Sequence, residues 1–300
     1  MRASRRSILA GGLALGLTNS PLRAITMQPT AWGNFGLTID AGEQTQGGWL
    51  KGRLTGPRTG PGQIIGLQLG DTPVALDAAG GFFLGFDRDA GNVAYLKGTC
   101  ASAGGCTTRH EPPEFGFTIA PRQWDIQNVD APFRPANLPD AEFQRIRPLE
   151  LAQISAARAM TTDAAGWRQA MIWPVQGRIS GKFGAQRIYR GQPGSYHSGL
   201  DIAGGQGATY VAPADGVVVL AAPSPFTLEG NLLMIDHGMG LSSAFLHSSR
   251  LLVRLGDHVR QGQAIGAIGM TGRATGPHLH WALKWHEARL DPLLFVPARL

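Results

Sequence analysis

Between Gly33 and Ile126 the apolar positions come in short runs that alternate with polar residues or are cut by glycine. Examples are Ile64-Ile65-Gly66-Leu67-Gln68-Leu69, Gly81-Phe82-Phe83-Leu84-Gly85-Phe86 and Val93-Ala94-Tyr95-Leu96. Alternation with period two suits half-buried strands. So many short runs predict a small β-sandwich or barrel over residues 25–126. The stretch Ala131-Pro-Phe-Arg-Pro-Ala-Asn-Leu-Pro139 then reads as a linker, with Asp140 as a helix cap before Phe143, Ile146, Leu149, Leu151 and Ile154. Pro148 falls inside that helical pattern and is expected to break or kink it, which favours a connecting arm across 127–170 over a core helix. From Trp173 onward the texture is again β: Val217-Val218-Val219-Leu220, Leu232-Leu233-Met234-Ile235, Ala244-Phe245-Leu246 and Ala264-Ile265 are separated by glycine-rich turns. The fold class is therefore predominantly all-β, with a compact antiparallel domain over 171–300 following the smaller β domain.

Composition changes this picture little. The chain has 300 residues, 43% hydrophobic and 16% charged, with 42 glycines and 20 prolines, as a globular protein rich in strands and turns would. Charge matters more. The formal +6 includes Arg2, Arg5, Arg6 and Arg23, and residues 1–24 contain no acid; without them 23 basic side chains face 21 acidic ones. No basic run is interleaved with aromatics, so no nucleic-acid partner is expected.

The arginines precede an apolar stretch from Ile8 to Leu17 that is too short to span a bilayer. Residues 1–24 thus read as an export signal, and Ser4-Arg5-Arg6-Ser7-Ile8-Leu9 resembles the twin-arginine type. A periplasmic protein with no membrane span after signal removal is expected, and no cysteine follows that would carry a lipid. Cys100 and Cys106, the only cysteines, bracket Ala-Ser-Ala-Gly-Gly. In an oxidising compartment such a pair forms a disulfide more often than a metal site, with two free thiols as the alternative. His110, beside Glu111 and Pro112, is read as a surface loop residue.

The chemistry concentrates near the C-terminus. In a strand, positions i and i+2 share a face. His278 and His280 can therefore both reach one cavity while Leu279 turns to the core, with Gly276-Pro277 as the turn before them. Upstream stands His197-Ser198-Gly199-Leu200-Asp201, where four nearby glycines argue for a loop-to-strand transition over a helix. A further histidine ends Phe245-Leu246-His247. Each fragment alone is weak, but together they supply the imidazoles and carboxylate of a catalytic zinc site with histidines to spare. There is no His-Glu-x-x-His motif, so proton transfer would fall to histidine.

These segments resemble the lysostaphin-type (LytM-type) zinc endopeptidases of bacterial peptidoglycan. The resemblance rests on Trp173-Pro174-Val-Gln-Gly177, Gly181-Lys-Phe-Gly184, His197-Ser-Gly-Leu-Asp201, Ala212-Pro-Ala-Asp-Gly-Val217, Asp236-His-Gly238 and Leu246-His247. It continues in Gly256-Asp-His-Val-Arg-Gln-Gly262 and Thr271-Gly-Arg-Ala-Thr-Gly-Pro-His-Leu-His280, and spans about residues 172–295. It implies one zinc per chain held by His197, Asp201 and His280, with His247 and His278 as the catalytic pair that activates water and stabilises the developing oxyanion. Phe245 and Met270 depart from the usual tyrosine and small polar residue without touching those five positions.

The implied substrate is a peptide of peptidoglycan; the direct cross-link is favoured over a glycine bridge. The alternatives are a catalytically silent wall-binding relative that activates another hydrolase, and an unrelated zinc or cupin-like protein using His-x-His. Residues 25–170 carry no chemistry of their own and suggest a regulatory or positioning role, with a regulatory protein as a possible partner. His237 is expected to be structural in a turn, and His258 and His286 solvated.

Overall fold

The computed structural model describes residues 26–27, 36–56, 64–100, 114–130 and 141–298. The export segment, Cys106, His110, the proline-rich linker, Asp140 and the Cys100 side chain lie outside the described residues.

The chain is mostly β, as its pattern predicts, with antiparallel sheets and, among the described residues, one α-helix. In the N-terminal half one four-stranded sheet joins Thr26–Met27, Gly36–Glu43, Trp49–Thr55 and Gly81–Gly85, and another joins Thr72–Val74, Ile64–Leu69, Val93–Cys100 and Glu114–Thr118. Leu37, Leu50, Leu54, Phe82 and Leu84 on the first, with Leu67, Val74, Leu96, Phe115 and Phe117 on the second, are buried in one apolar core. The run Gly81–Gly85 is buried at every position, not only at alternate ones. Its second face meets the C-terminal half: Phe83 stacks on Trp49, which stacks on Phe295. A Cβ on Gly85 would lie 2.7 Å from the Trp285 Cβ, so glycine permits this close approach. The apolar core is continuous across the two halves.

In the C-terminal half a sheet runs in the order Arg178–Gly181, Leu200–Ala203, Leu279–Trp285, Leu241–Ser248, Asn231–Gly238, Gly216–Ala221, His258–Val259, with every pairing antiparallel. Leu200, Ile202, Leu279, Trp281 and Leu283 are fully buried on one face. The alternate positions of the same strands therefore point to the other face.

The helix, Ala141–Ala159 (α1), lies against that sheet. Its course corrects the expectation of a broken arm. It continues through Pro148, and Ile154 and Ala157 are buried in a cluster with Val219, Leu220, Phe226, Leu232 and Met234. Packing and an ion network hold it where local propensity alone would not. Arg147 grips Glu229 through both guanidinium nitrogens at 2.6 and 2.8 Å, and buried Glu150 accepts from the Thr227 backbone at 2.5 Å and its hydroxyl at 2.6 Å.

His237 stands inside the strand Asn231–Gly238 and not in a turn. It is fully buried, with Nδ1–H donating to the Asp215 carbonyl and Nε2 accepting from the Ser243 hydroxyl, both at 2.7 Å. Its role is structural. Burial pushes this imidazole below its ordinary pKa. The unfolded chain takes up a proton near pH 6.5 that the folded chain resists, so stability is present above that pH and lost as pH falls below about 6.5. Urea midpoints measured down a pH series should decline there, and less steeply for His237→Gln; an equal slope would remove His237 from the account.

Candidate metal centre

The alternation that buries Leu279 and Trp281 aims His280 at the open face, and the sheet register sets Asp201 directly opposite it. His197 enters from the preceding loop. The ligating atoms of His197, Asp201 and His280 lie within 4.8 Å of one another. His197 Nε2 and His280 Nδ1 stand 3.0 and 2.8 Å from the same Asp201 oxygen and 3.1 Å from each other.

The ring orientations are fixed from behind. His197 donates Nδ1–H to the Lys182 carbonyl at 2.9 Å, which leaves Nε2 bare towards the cluster. Such outer partners set the tautomer of a ligand histidine. Two glycines make room for the other two side chains. A Cβ on Gly199 would lie 2.6 Å from His280 Nε2, and one on Gly181 would lie 2.4 Å from Asp201 Oδ2. Three inward-facing donors, two imidazole nitrogens and one carboxylate, form a set that suits zinc. Gly199→Ala is expected to push the His280 ring aside and weaken zinc binding by on the order of tenfold or more. Competition with a chromogenic chelator measures this, and undiminished affinity would show that the cradle is not needed.

Electrostatics match the geometry. Burial alone would raise the Asp201 carboxyl, but the bonds to His197 and His280 outweigh it and hold the group well below the usual carboxylate range. Burial pulls His197 down, yet the Asp201 contact prevails and raises it. His280 is lowered, chiefly by burial, which favours the neutral imidazole.

His247 and His278 flank the cluster, with ring centroids 5.0 Å apart. His278 Nε2 is 3.7 Å from the Asp201 oxygen. Each donates Nδ1–H to a carbonyl at 2.8 Å, His247 to Thr271 and His278 to Gly276, so each keeps a free Nε2. Burial lowers His247 from the ordinary imidazole value and keeps it neutral at neutral pH. His247 also has φ 63°, a left-handed conformation that costs a branched-free L residue of this size about 1–3 kcal/mol. Its N–H donates to the Glu229 carbonyl at 2.8 Å, and this bond and the Thr271 contact hold the strained residue in place.

The structure thus brings together all five residues singled out in the sequence. His258 and His286 are exposed. Sequence reasoning missed the carbonyls of Lys182, Gly276 and Thr271 that orient the rings, the cradling roles of Gly181 and Gly199, and the Arg147–Glu229 support behind His247. Of these, Lys182, Thr271, Gly276 and the two cradling glycines fall within the motifs quoted above, and only Arg147 and Glu229 left no trace.

Residues 195–292 match peptidase family M23, a span that contains all five of these residues. The chain carries an M23 peptidase domain. Among proteins similar to it, the Vibrio cholerae peptidoglycan DD-endopeptidase ShyA is 41% identical over 110 residues, 35% of this chain and 24% of ShyA. The murein hydrolase activator NlpD of Escherichia coli K12 is 33% identical over 139 residues, 46% of this chain and 33% of NlpD. The chain thus matches about a third or less of the length of these curated relatives. A crystal structure of an M23 peptidase from Pseudomonas aeruginosa superposes with a TM-score of 0.61 at 26% identity. That match covers 84% of this chain and 95% of the other, so it reaches well beyond the M23 domain. No helix among the described residues is long and apolar enough to cross a membrane.

Proposed function

We propose that the protein is a zinc-dependent endopeptidase of the periplasm that hydrolyses peptide cross-links of bacterial peptidoglycan, with His197, Asp201 and His280 as metal ligands and His247 and His278 as catalytic residues. The observation that carries this reading is the division of labour within one cluster. Three donors converge on a point, while two further imidazoles beside them keep Nε2 free for proton work.

Zinc held there would polarise the scissile carbonyl and acidify a water molecule. The chain's own residues do the rest. Asp201 stays ionised, and the Lys182 carbonyl keeps His197 in the ligating tautomer. Neutral His247 can accept a proton at Nε2 because its other nitrogen is committed to Thr271. The proton that His247 takes from the water at Nε2 is then available to the leaving amine, and His278, fixed at Nδ1 by Gly276, faces the developing oxyanion with Nε2 and stabilises it when that nitrogen carries a proton. The similarity to ShyA supports a DD-type cross-link as substrate.

The similarity to NlpD favours a second reading, an activator of another wall hydrolase. The two separate in one experiment: zinc-loaded protein is incubated with purified peptidoglycan, alone and with a wall amidase added. Release of peptide fragments by the protein alone supports the peptidase. Release only through the amidase supports the activator.

A further inference from the structure

The N-terminal half reaches the metal cluster through one buried cation. Arg88, 6% exposed, follows the strand Gly81–Gly85 and inserts between Tyr196 of the C-terminal half and Trp124 of its own half, its guanidinium carbon 4.5 Å from the Tyr196 centroid and 5.3 Å from that of Trp124. Nη2 donates to the Gly184 carbonyl at 3.1 Å and to Gln186 Oε1 at 3.0 Å, while Nη1 pairs with Asp89 at 2.7 Å. A planar fork that stacks and donates at once is a task for arginine and not for lysine.

Gly184 is the corner that holds His197. Its N–H donates to the His197 carbonyl at 2.8 Å, the His197 N–H donates to Ala185 at 2.8 Å, and the His197 ring donates to Lys182. Residues 182–185 therefore fix this residue by both backbone groups and by its side chain. The corner is turned at φ 81°, and a Cβ on Gly184 would lie 2.1 Å from the Trp124 ring. Trp124 is itself sandwiched, with Phe183 edge-on at 5.7 Å and Arg122 at 4.6 Å, and Arg122 is tied to buried Asp291 at 2.7 Å. The segment continues as the strand Ile126–Val129, which adds in parallel to Gln186–Tyr189.

We infer that the N-terminal half is a positioning element of the metal site: Arg88 and Trp124 lock the Gly184 corner so that His197 presents Nε2 to the cluster. This rests on the reading of His197 as a zinc ligand. Detaching the contact should weaken the site, not release an inhibited enzyme. Outer partners of metal ligands typically contribute ten- to hundredfold to affinity.

The test uses the full chain with Arg88→Lys, Trp124→Leu and Trp124→Phe. Zinc affinity is measured by chelator competition, and hydrogen exchange is followed at the Gly184 and His197 amides, with the strand Leu279–Trp285 as internal control. Arg88→Lys and Trp124→Leu should bind zinc ten- to hundredfold more weakly and exchange faster at Gly184 and His197 alone, and Trp124→Phe should recover most of both. Affinity within twofold of the parent, with unchanged exchange at those amides, overturns the inference. So does faster exchange spread equally over the control strand, which would mark the contacts as general packing. Should the parent bind no zinc, the metal reading fails, and local exchange at Gly184 and His197 still decides whether the N-terminal half holds that corner. If Arg88→Lys does not fold, the Trp124 variants at this half-buried position decide alone.

Discussion

His280→Ala and Asp201→Ala should each strip the metal from the protein and abolish hydrolysis of peptidoglycan peptides. Three protein ligands are the usual complement of a catalytic zinc, so losing one leaves too few to hold it. The two positions face each other in adjacent strands, and their side chains fill slots that Gly199 and Gly181 leave open. Truncation to alanine therefore empties a space without forcing the backbone to move, and the fold should survive. Metal analysis of purified variants, with circular dichroism to check folding, reads this out directly. A folded His280→Ala protein that keeps one zinc and full activity would remove it from the ligand set.

The second large effect falls on the pair beside the metal. His247→Ala and His278→Ala should retain zinc and lose turnover by on the order of a hundredfold or more each, the usual contribution of placed proton transfer or oxyanion stabilisation. Their Nδ1 atoms are committed to Thr271 and Gly276, so neither ring turns its bonded nitrogen to the cluster. His278 is the more exacting case, because its Nε2 stands 3.7 Å from Asp201. Loss of zinc together with activity in either variant would mean that the division between ligands and catalysts is drawn in the wrong place.

How much of this was legible in the sequence depends on how local the cause is. The alternation in Leu279-His280-Trp281-Ala282-Leu283 is a property of five consecutive residues, and it specified which side chains would be buried and which would face the site. The N-terminal sheets were legible for the same reason, in runs such as Ile64-Ile65-Gly66-Leu67-Gln68-Leu69 and Val93-Ala94-Tyr95-Leu96. Pro148 pointed the other way. Its local cost is real, but Ile154 and Ala157 find partners on strands many residues downstream, and Glu150 finds Thr227 in the turn between them, and those contacts carry the helix through. Arg88 was silent because nothing around it in sequence announces that its partners are Gly184, Gln186 and Tyr196. Long-range contacts of single side chains leave no periodicity to read.

The central claim is that this cluster cuts peptide bonds in the wall. Its most direct test is mass spectrometry of the fragments released when zinc-loaded protein, with no other hydrolase present, acts on purified peptidoglycan with direct peptide cross-links. The account predicts that cross-linked peptide dimers give way to monomers, each pair heavier by one water, and that a chelator stops the conversion until zinc is returned. Cross-linked dimers that persist unchanged under fully zinc-loaded protein would contradict it.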